Sequence, residues 1–170
     1  MNADDIRVEQ ILSWGDVKFP NNLNLTYDPD FIYPEPSIED MVFAVSFAIA
    51  HPDPRLSTAV ASVLGKLNKT KLEECNSAFD NKCKRFAGFL LELSGNDNCE
   101  VFFSEDLFSE ENDEFIFPTQ IRRPHWVDLW KKQATSIHLK WGVLGNVDNP
   151  DWYARGKAEW VKSHQSTLTD

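Results

Sequence analysis

The sequence predicts a mostly α-helical single domain over residues 1–170, built as a helical bundle or a HEAT-like stack of about six helices. Apolar residues recur at steps of three and four along several segments, and capping residues, prolines and glycines separate these segments. The length of 170 residues and a hydrophobic share of 42% suit one folded domain with a sizeable core.

Two helices are predicted between residues 37 and 67. Ser37 and Asp40 match a capping box, and the stretch 41–50 that follows is apolar on every side, which predicts the central, buried helix. Pro52 ends this helix, and a second one is expected over 54–67. The buried face of the second helix is expected to consist of Leu56, Ala59, Val60, Val63, Leu64 and Leu67.

The pattern predicts one long helix over residues 71–93, with a second capping box at 70–73 and Gly95 at its end. Its apolar residues fall within a stripe about 80° wide. The stripe consists of Leu72, Cys75, Phe79, Cys83, Phe86, Leu90 and Leu93. We therefore expect Cys75, Phe79, Cys83, Phe86 and Leu90 to be buried.

Two tryptophans, a histidine and four basic side chains occur within RRPHWVDLWKK, residues 122–132. A helix starting at Pro124 would put Trp126 and Trp130 on one face with aliphatic residues as far as Trp141, and the lysines on the other side. A further helix from Pro150 would carry Trp152 and Trp160. This pattern favours core tryptophans in an antiparallel helix pair, and the alternative is a stacking platform for nucleic acid.

Two segments are expected to be irregular. Residues 14–36 are rich in proline and asparagine and predict an extended connection. Residues 96–121 are acidic and rich in phenylalanine, and two interpretations of them stay open. Residues 101–103 and 115–117 form either a short hairpin or loop pieces held by phenylalanine side chains.

The net charge of −10 is unevenly distributed, because residues 97–114 hold eight acidic side chains and no basic one. Such a chain attracts basic partners and repels nucleic acid and anionic membranes. The three cysteines form no CxxC pair, and the first ten residues lack an apolar signal core. We therefore expect a reduced, cytoplasmic protein that binds neither nucleic acid nor membranes.

No catalytic or metal-binding motif is present in the sequence. The four histidines lack metal-ligand spacing, and Cys99 lies among acids that would raise its pKa. The sequence thus predicts no cofactor and no bound metal, and it favours a role without catalysis.

Two functions follow from these features. The first is a small acidic cytosolic protein-binding module of the inhibitor, immunity, antitoxin or regulatory type, which docks a basic partner surface. Its predicted site consists of Glu105, Asp106, Glu110, Glu111, Asp113 and Glu114, exposed above Phe102, Phe103 and Phe108. The alternative is a hydrolase-type enzyme whose carboxylates and His125 or His138 come together from distant positions.

Overall fold

The computed structural model describes residues 3–15, 33–108, 114–117 and 124–145, apart from the side chains of Pro54, Arg55 and Pro124. This part of the protein is mostly helical, as the sequence predicts. The α-helices within it are α1 (Ala3–Trp14), α2 (Ile38–Ala50), α3 (Pro54–Lys66), α4 (Lys69–Ala78), α5 (Asn81–Leu93), α6 (Pro124–Gln133) and α7 (Ser136–Trp141). Two 3-10 helices, Asp97–Phe102 and Glu105–Leu107, follow α5. Among the described helices, none has the length and apolar character needed to cross a bilayer.

The capping box before α2 is confirmed. The Ser37 hydroxyl accepts from the Asp40 backbone N–H at 3.1 Å, and the Asp40 carboxylate accepts from the Ser37 backbone N–H at 3.0 Å. The box predicted at 70–73 is wrong, because Asn68 caps α4 by accepting from the Lys71 backbone N–H at 2.8 Å. An asparagine side chain competes well for this position, so the helix begins one residue before Thr70.

The helix predicted over 71–93 is divided in two. Phe79 takes an extended conformation, and the Asp80 carboxylate caps α5 by accepting from the Cys83 backbone N–H at 2.8 Å. The expected burial is nonetheless confirmed for Cys75, Phe79, Cys83, Phe86 and Leu90. The apolar residues of both helices face one core. The apolar periodicity therefore predicts which residues are buried, but it does not indicate the break between the two helices.

The central helix is α5 and not α2, contrary to the sequence-based prediction. Helix α5 packs against α2, α3, α7 and both 3-10 helices, and all its residues from Arg85 to Leu91 are buried. Helix α2 buries one face, while Ser46 and Ala50 are exposed and its phenylalanines are only partly covered. A uniformly apolar helix fits the middle or the edge of a core equally well, because its pattern marks no preferred face.

The predicted helix from Pro124 to Trp141 is also divided. Thr135 is extended and caps α7 with its hydroxyl, which separates α7 from α6. Trp141 is fully buried in the main core, and Trp130 is buried in a second, smaller cluster with Leu144. Trp126, expected to be buried, is 38% exposed.

A short main-chain pairing joins the segment before α6 to the end of α7. Ile116 and Val143 form an isolated parallel bridge, in which Ile116 N–H donates to the Gly142 oxygen at 2.9 Å. Residues 101–102 belong to the first 3-10 helix, so the hairpin interpretation of 101–103 with 115–117 is wrong. Residues 16–32 of the proline-rich connection and the helix predicted from Pro150, with Trp152 and Trp160, lie outside the described residues.

Candidate docking surface

The chain from Phe102 to Phe108 is fixed by two buried side chains. Phe102 stacks on Phe79 with ring centroids 5.6 Å apart, and Leu107 is fully buried at the end of the second 3-10 helix, which packs on α5. Asn81 at the start of α5 donates from its side-chain amide to the Asp106 backbone oxygen at 3.4 Å. Burial of two large apolar side chains holds this short segment in place, although it makes few hydrogen bonds of its own.

Between and beside these anchors, two phenyl rings and two carboxylates are exposed. Phe103 is 43% exposed and Phe108 is 41% exposed. Glu105 and Asp106 lie between them and are exposed too. With the exposed Glu114, these residues form the acidic–aromatic surface, which we define as Phe103, Glu105, Asp106, Phe108 and Glu114.

A buried arginine supports one side of this surface. The Arg85 guanidinium is fully buried on α5, and its Cζ lies 4.6 Å from the centroid of the Phe108 ring. It donates to the backbone oxygens of Glu114 at 2.9 Å, Gly142 at 2.8 Å and Trp141 at 2.9 Å. Carbonyl oxygens offset the cost of burying the charge, and the planar fork of arginine reaches several of them at once. Phe108 and Glu114 are thereby fixed relative to the end of α7.

Phe103, at the other end of the segment from Phe108, contacts Lys140. The Lys140 ammonium lies 2.6 Å from Glu92 Oε1 and 2.9 Å from Glu100 Oε1, and 5.1 Å from the centroid of the Phe103 ring. The hydrogen bonds that Lys140 donates to Glu100 and Glu92 raise its pKa, so it stays charged at neutral pH. Phe103 also meets Trp141 edge to face, with centroids 5.8 Å apart.

Glu92, Cys99 and Glu100 place three potential metal-ligand atoms within 4.8 Å of one another. No sequence spacing pointed to this group, because its members come from α5 and the following 3-10 helix. The Lys140 ammonium contacts both carboxylates and supplies the positive charge that they require. Burial, followed by the two carboxylates, raises the pKa of Cys99 to about 11, so the thiol on its own is protonated at neutral pH. The arrangement therefore acts as a lysine-centred ion-pair cluster.

The structure describes half of the predicted acidic site. Glu105, Asp106 and Glu114 are exposed, and Glu110, Glu111 and Asp113 lie outside the described residues. Of the three phenylalanines expected beneath the acids, only Phe102 is buried, so the prediction for Phe103 and Phe108 is wrong. Leu107 is the second buried anchor of this segment, and the rings of Phe103 and Phe108 belong to the exposed surface.

The histidines named in the enzyme alternative have different surroundings. His138 is buried against Phe89, and its Nδ1 lies 2.6 Å from the Thr135 hydroxyl. Burial lowers the pKa of His138, so the ring is neutral at neutral pH. His125 is exposed on α6 beside Trp126. Within the described residues, neither the His138 ring nor the His125 ring is hydrogen-bonded to a carboxylate.

Comparison with known proteins finds no family model, no curated protein and no solved structure that matches this chain.

Proposed function

We propose that this chain is a small acidic protein-binding module that docks a basic surface of a protein partner through the acidic–aromatic surface. One observation carries the proposal. Two exposed phenyl rings, Phe103 and Phe108, flank two exposed carboxylates, and this stretch is held in place by buried Phe102 and Leu107. Neither a solvated acidic loop nor a core segment needs that combination.

The two kinds of side chain would contribute differently to binding. Exposed carboxylates attract a cationic surface and raise the rate of encounter, and their effect weakens as salt is added. Aromatic rings supply apolar area with little loss of conformational entropy, which is why they are enriched at the centres of interfaces. Arg85 contacts the Phe108 ring and Lys140 contacts the Phe103 ring, so both rings are already ordered. Binding would therefore cost little side-chain conformational entropy.

The proposal includes the inhibitor, immunity, antitoxin and regulatory-subunit types, and a cytoplasmic location. It also includes a bundle or HEAT-like stack as the scaffold. Contacts between alternate helices support the stack, since α1 packs on α3, α2 on α4 and α3 on α5.

Affinity capture tests this function. The tagged full chain and a variant with Glu105→Gln, Asp106→Asn and Glu114→Gln are each used to capture proteins from native lysate. We expect a stoichiometric partner that the variant retains at least about ten-fold less well at low salt, because the neutral side chains keep their shape and lose the attraction. The association rate of the captured partner should also depend less on salt for the variant.

A control removes two exposed carboxylates of α4, Glu73→Gln and Glu74→Gln, against three in the test variant, and should leave capture unchanged. Equal loss in the control would show that net charge alone matters. Unchanged capture by the first variant would refute this site and would direct attention to the acidic residues of 1–53.

A further inference from the structure

We propose that the acidic–aromatic surface binds helix α6 of a second copy of this chain, so that the protein forms a two-fold symmetric dimer. This inference rests on the docking role of that surface and names a partner for it.

Helix α6 carries an exposed strip that combines apolar and cationic side chains. Trp126 is 38% exposed and Leu129 is 40% exposed, and His125 and Lys132 beside them are also exposed. At 100° per residue these four positions fall within an arc of about 120°. Buried Trp130 lies next to Trp126, with ring centroids 6.2 Å apart, so the exposed strip borders the helix's own packing contact.

The exposed large apolar side chains of the described residues all come from one stretch of the chain, 103–139. Helices α1 to α5 expose no large hydrophobic side chain within the described residues. Those that are exposed there are Phe103, Phe108, Trp126, Leu129 and Leu139. Soluble proteins that expose several large apolar side chains in one region commonly use them for association.

The two groups of exposed apolar residues differ in the charge that accompanies them. Glu105 and Asp106 accompany the phenyl rings, whereas the exposed Lys132 lies in the strip of α6. Both surfaces expose apolar side chains, and their charges are opposite. These two properties make the surfaces complementary to each other. A second copy of the chain supplies the basic, aromatic surface that the acidic–aromatic surface fits.

Two-fold symmetry lets both surfaces of both copies be covered at once. Each copy's acidic–aromatic surface would meet its partner's α6, and the assembly would close as a dimer. The same contact made head to tail would leave one surface of each kind uncovered and would continue into a filament. The net charge of −10 on each copy opposes the encounter at long range, so the attraction must come from close pairing of the two surfaces.

Sedimentation velocity of the full chain, over about a hundred-fold range of concentration, measures the dimer directly. Two charge-reversed variants are prepared, Glu105→Lys/Asp106→Lys and Lys132→Glu. We expect a concentration-dependent dimer for the wild-type chain and a dissociation constant at least about ten-fold higher for each variant. Mixed one to one, the two variants should form a heterodimer, because every close pair in it is again of opposite charge.

Matched controls reverse charges on α4, which lies outside both surfaces. Glu73→Lys/Glu74→Lys and Lys69→Glu change the net charge by the same amounts and should dimerise like the wild-type chain. The three charge-reversed positions of the test variants are exposed, so circular dichroism should show the wild-type helix content for both. If one of them misfolds, the neutral changes Lys132→Gln and Glu105→Gln replace it, with a smaller increase in the dissociation constant.

A wild-type chain that stays monomeric throughout would overturn the dimer, and so would a mixture of the variants that fails to associate. A dimer insensitive to both variants would overturn this interface. These outcomes are separate from the test of the proposed function: a monomer that still captures a partner through Glu105 and Asp106 keeps that function. A dimer that captures no other protein supports only self-association.

Discussion

The Trp141 indole lies directly on the bare backbone of Gly88, so that a Cβ at position 88 would overlap the six-membered part of the ring. Gly88 is in the middle of α5, and Trp141 is the last residue of α7. The pair lets α7 approach the central helix closely. It also orients the indole N–H, which donates to Glu92 Oε2 at 3.3 Å.

Gly88→Ala should therefore destabilise the protein, although alanine favours a helix more than glycine does. We expect a loss of about 1–3 kcal/mol in the free energy of unfolding, measured by urea denaturation, because Trp141 must move. Gly65→Ala on α3 is the control. There the nearest atom to an added Cβ is 4.0 Å away, so stability should rise by about 0.5–1 kcal/mol. Equal effects at the two positions would contradict the close contact.

Arg85 should be irreplaceable even by lysine. Arg85→Lys keeps the charge, but a single ammonium cannot reach the oxygens of Glu114, Trp141 and Gly142 in the geometry of the guanidinium. We expect a loss of about 2–4 kcal/mol in denaturant unfolding. Arg7→Lys is the matched control: its 3.2 Å ion pair with Asp40 is partly exposed, so the change should cost less than about 1 kcal/mol.

His138 should make the fold less stable in mild acid. Burial lowers its pKa below the usual 6.5, so the unfolded chain takes up the proton at a higher pH than the folded one. Its contribution to stability is full above about pH 6.5 and is lost as the pH falls from there through the lower folded pKa. The free energy of unfolding at pH 5 and pH 7.5 measures the effect.

The matched variant for this test is His138→Asn, which keeps a polar group near the Nδ1 position that contacts Thr135 but does not titrate. It should show a smaller difference between the two pH values than the wild-type chain, even if it is less stable at both. His125→Asn, at an exposed position, should leave the difference unchanged. A wild-type pH dependence in His138→Asn would assign the effect to other groups.

The three thiols should react slowly in the native protein. Burial raises the pKa of Cys75 to about 11, of Cys83 to about 12 and of Cys99 to about 11. At pH 8 a thiol with a pKa near 11 is ionised in about one molecule in a thousand. Labelling with an aromatic disulfide reagent should therefore be slow at pH 8 and fast in denaturant. Rapid reaction of Cys75 or Cys83 in the native protein would contradict their burial.

Local signals in the sequence determined where several helices begin and which of their residues face inward. The Ser37–Asp40 box and the spacing of Cys83, Phe86 and Leu90 act through atoms only three or four residues apart, so they can be read without the rest of the chain. The same holds for the exposure of Glu105 and Asp106, since unpaired carboxylates stay in water.

Tertiary structure decided which of the apolar segments became the core and which stayed on the surface. Helix α5 is central because Trp141, Phe102 and Leu107 cover it, and these come from later in the chain. Phe103 and Trp126 resemble their buried neighbours in sequence, but no described partner covers them completely. Burial of an apolar side chain depends on a surface that distant residues supply, and its own neighbours in sequence do not encode that surface.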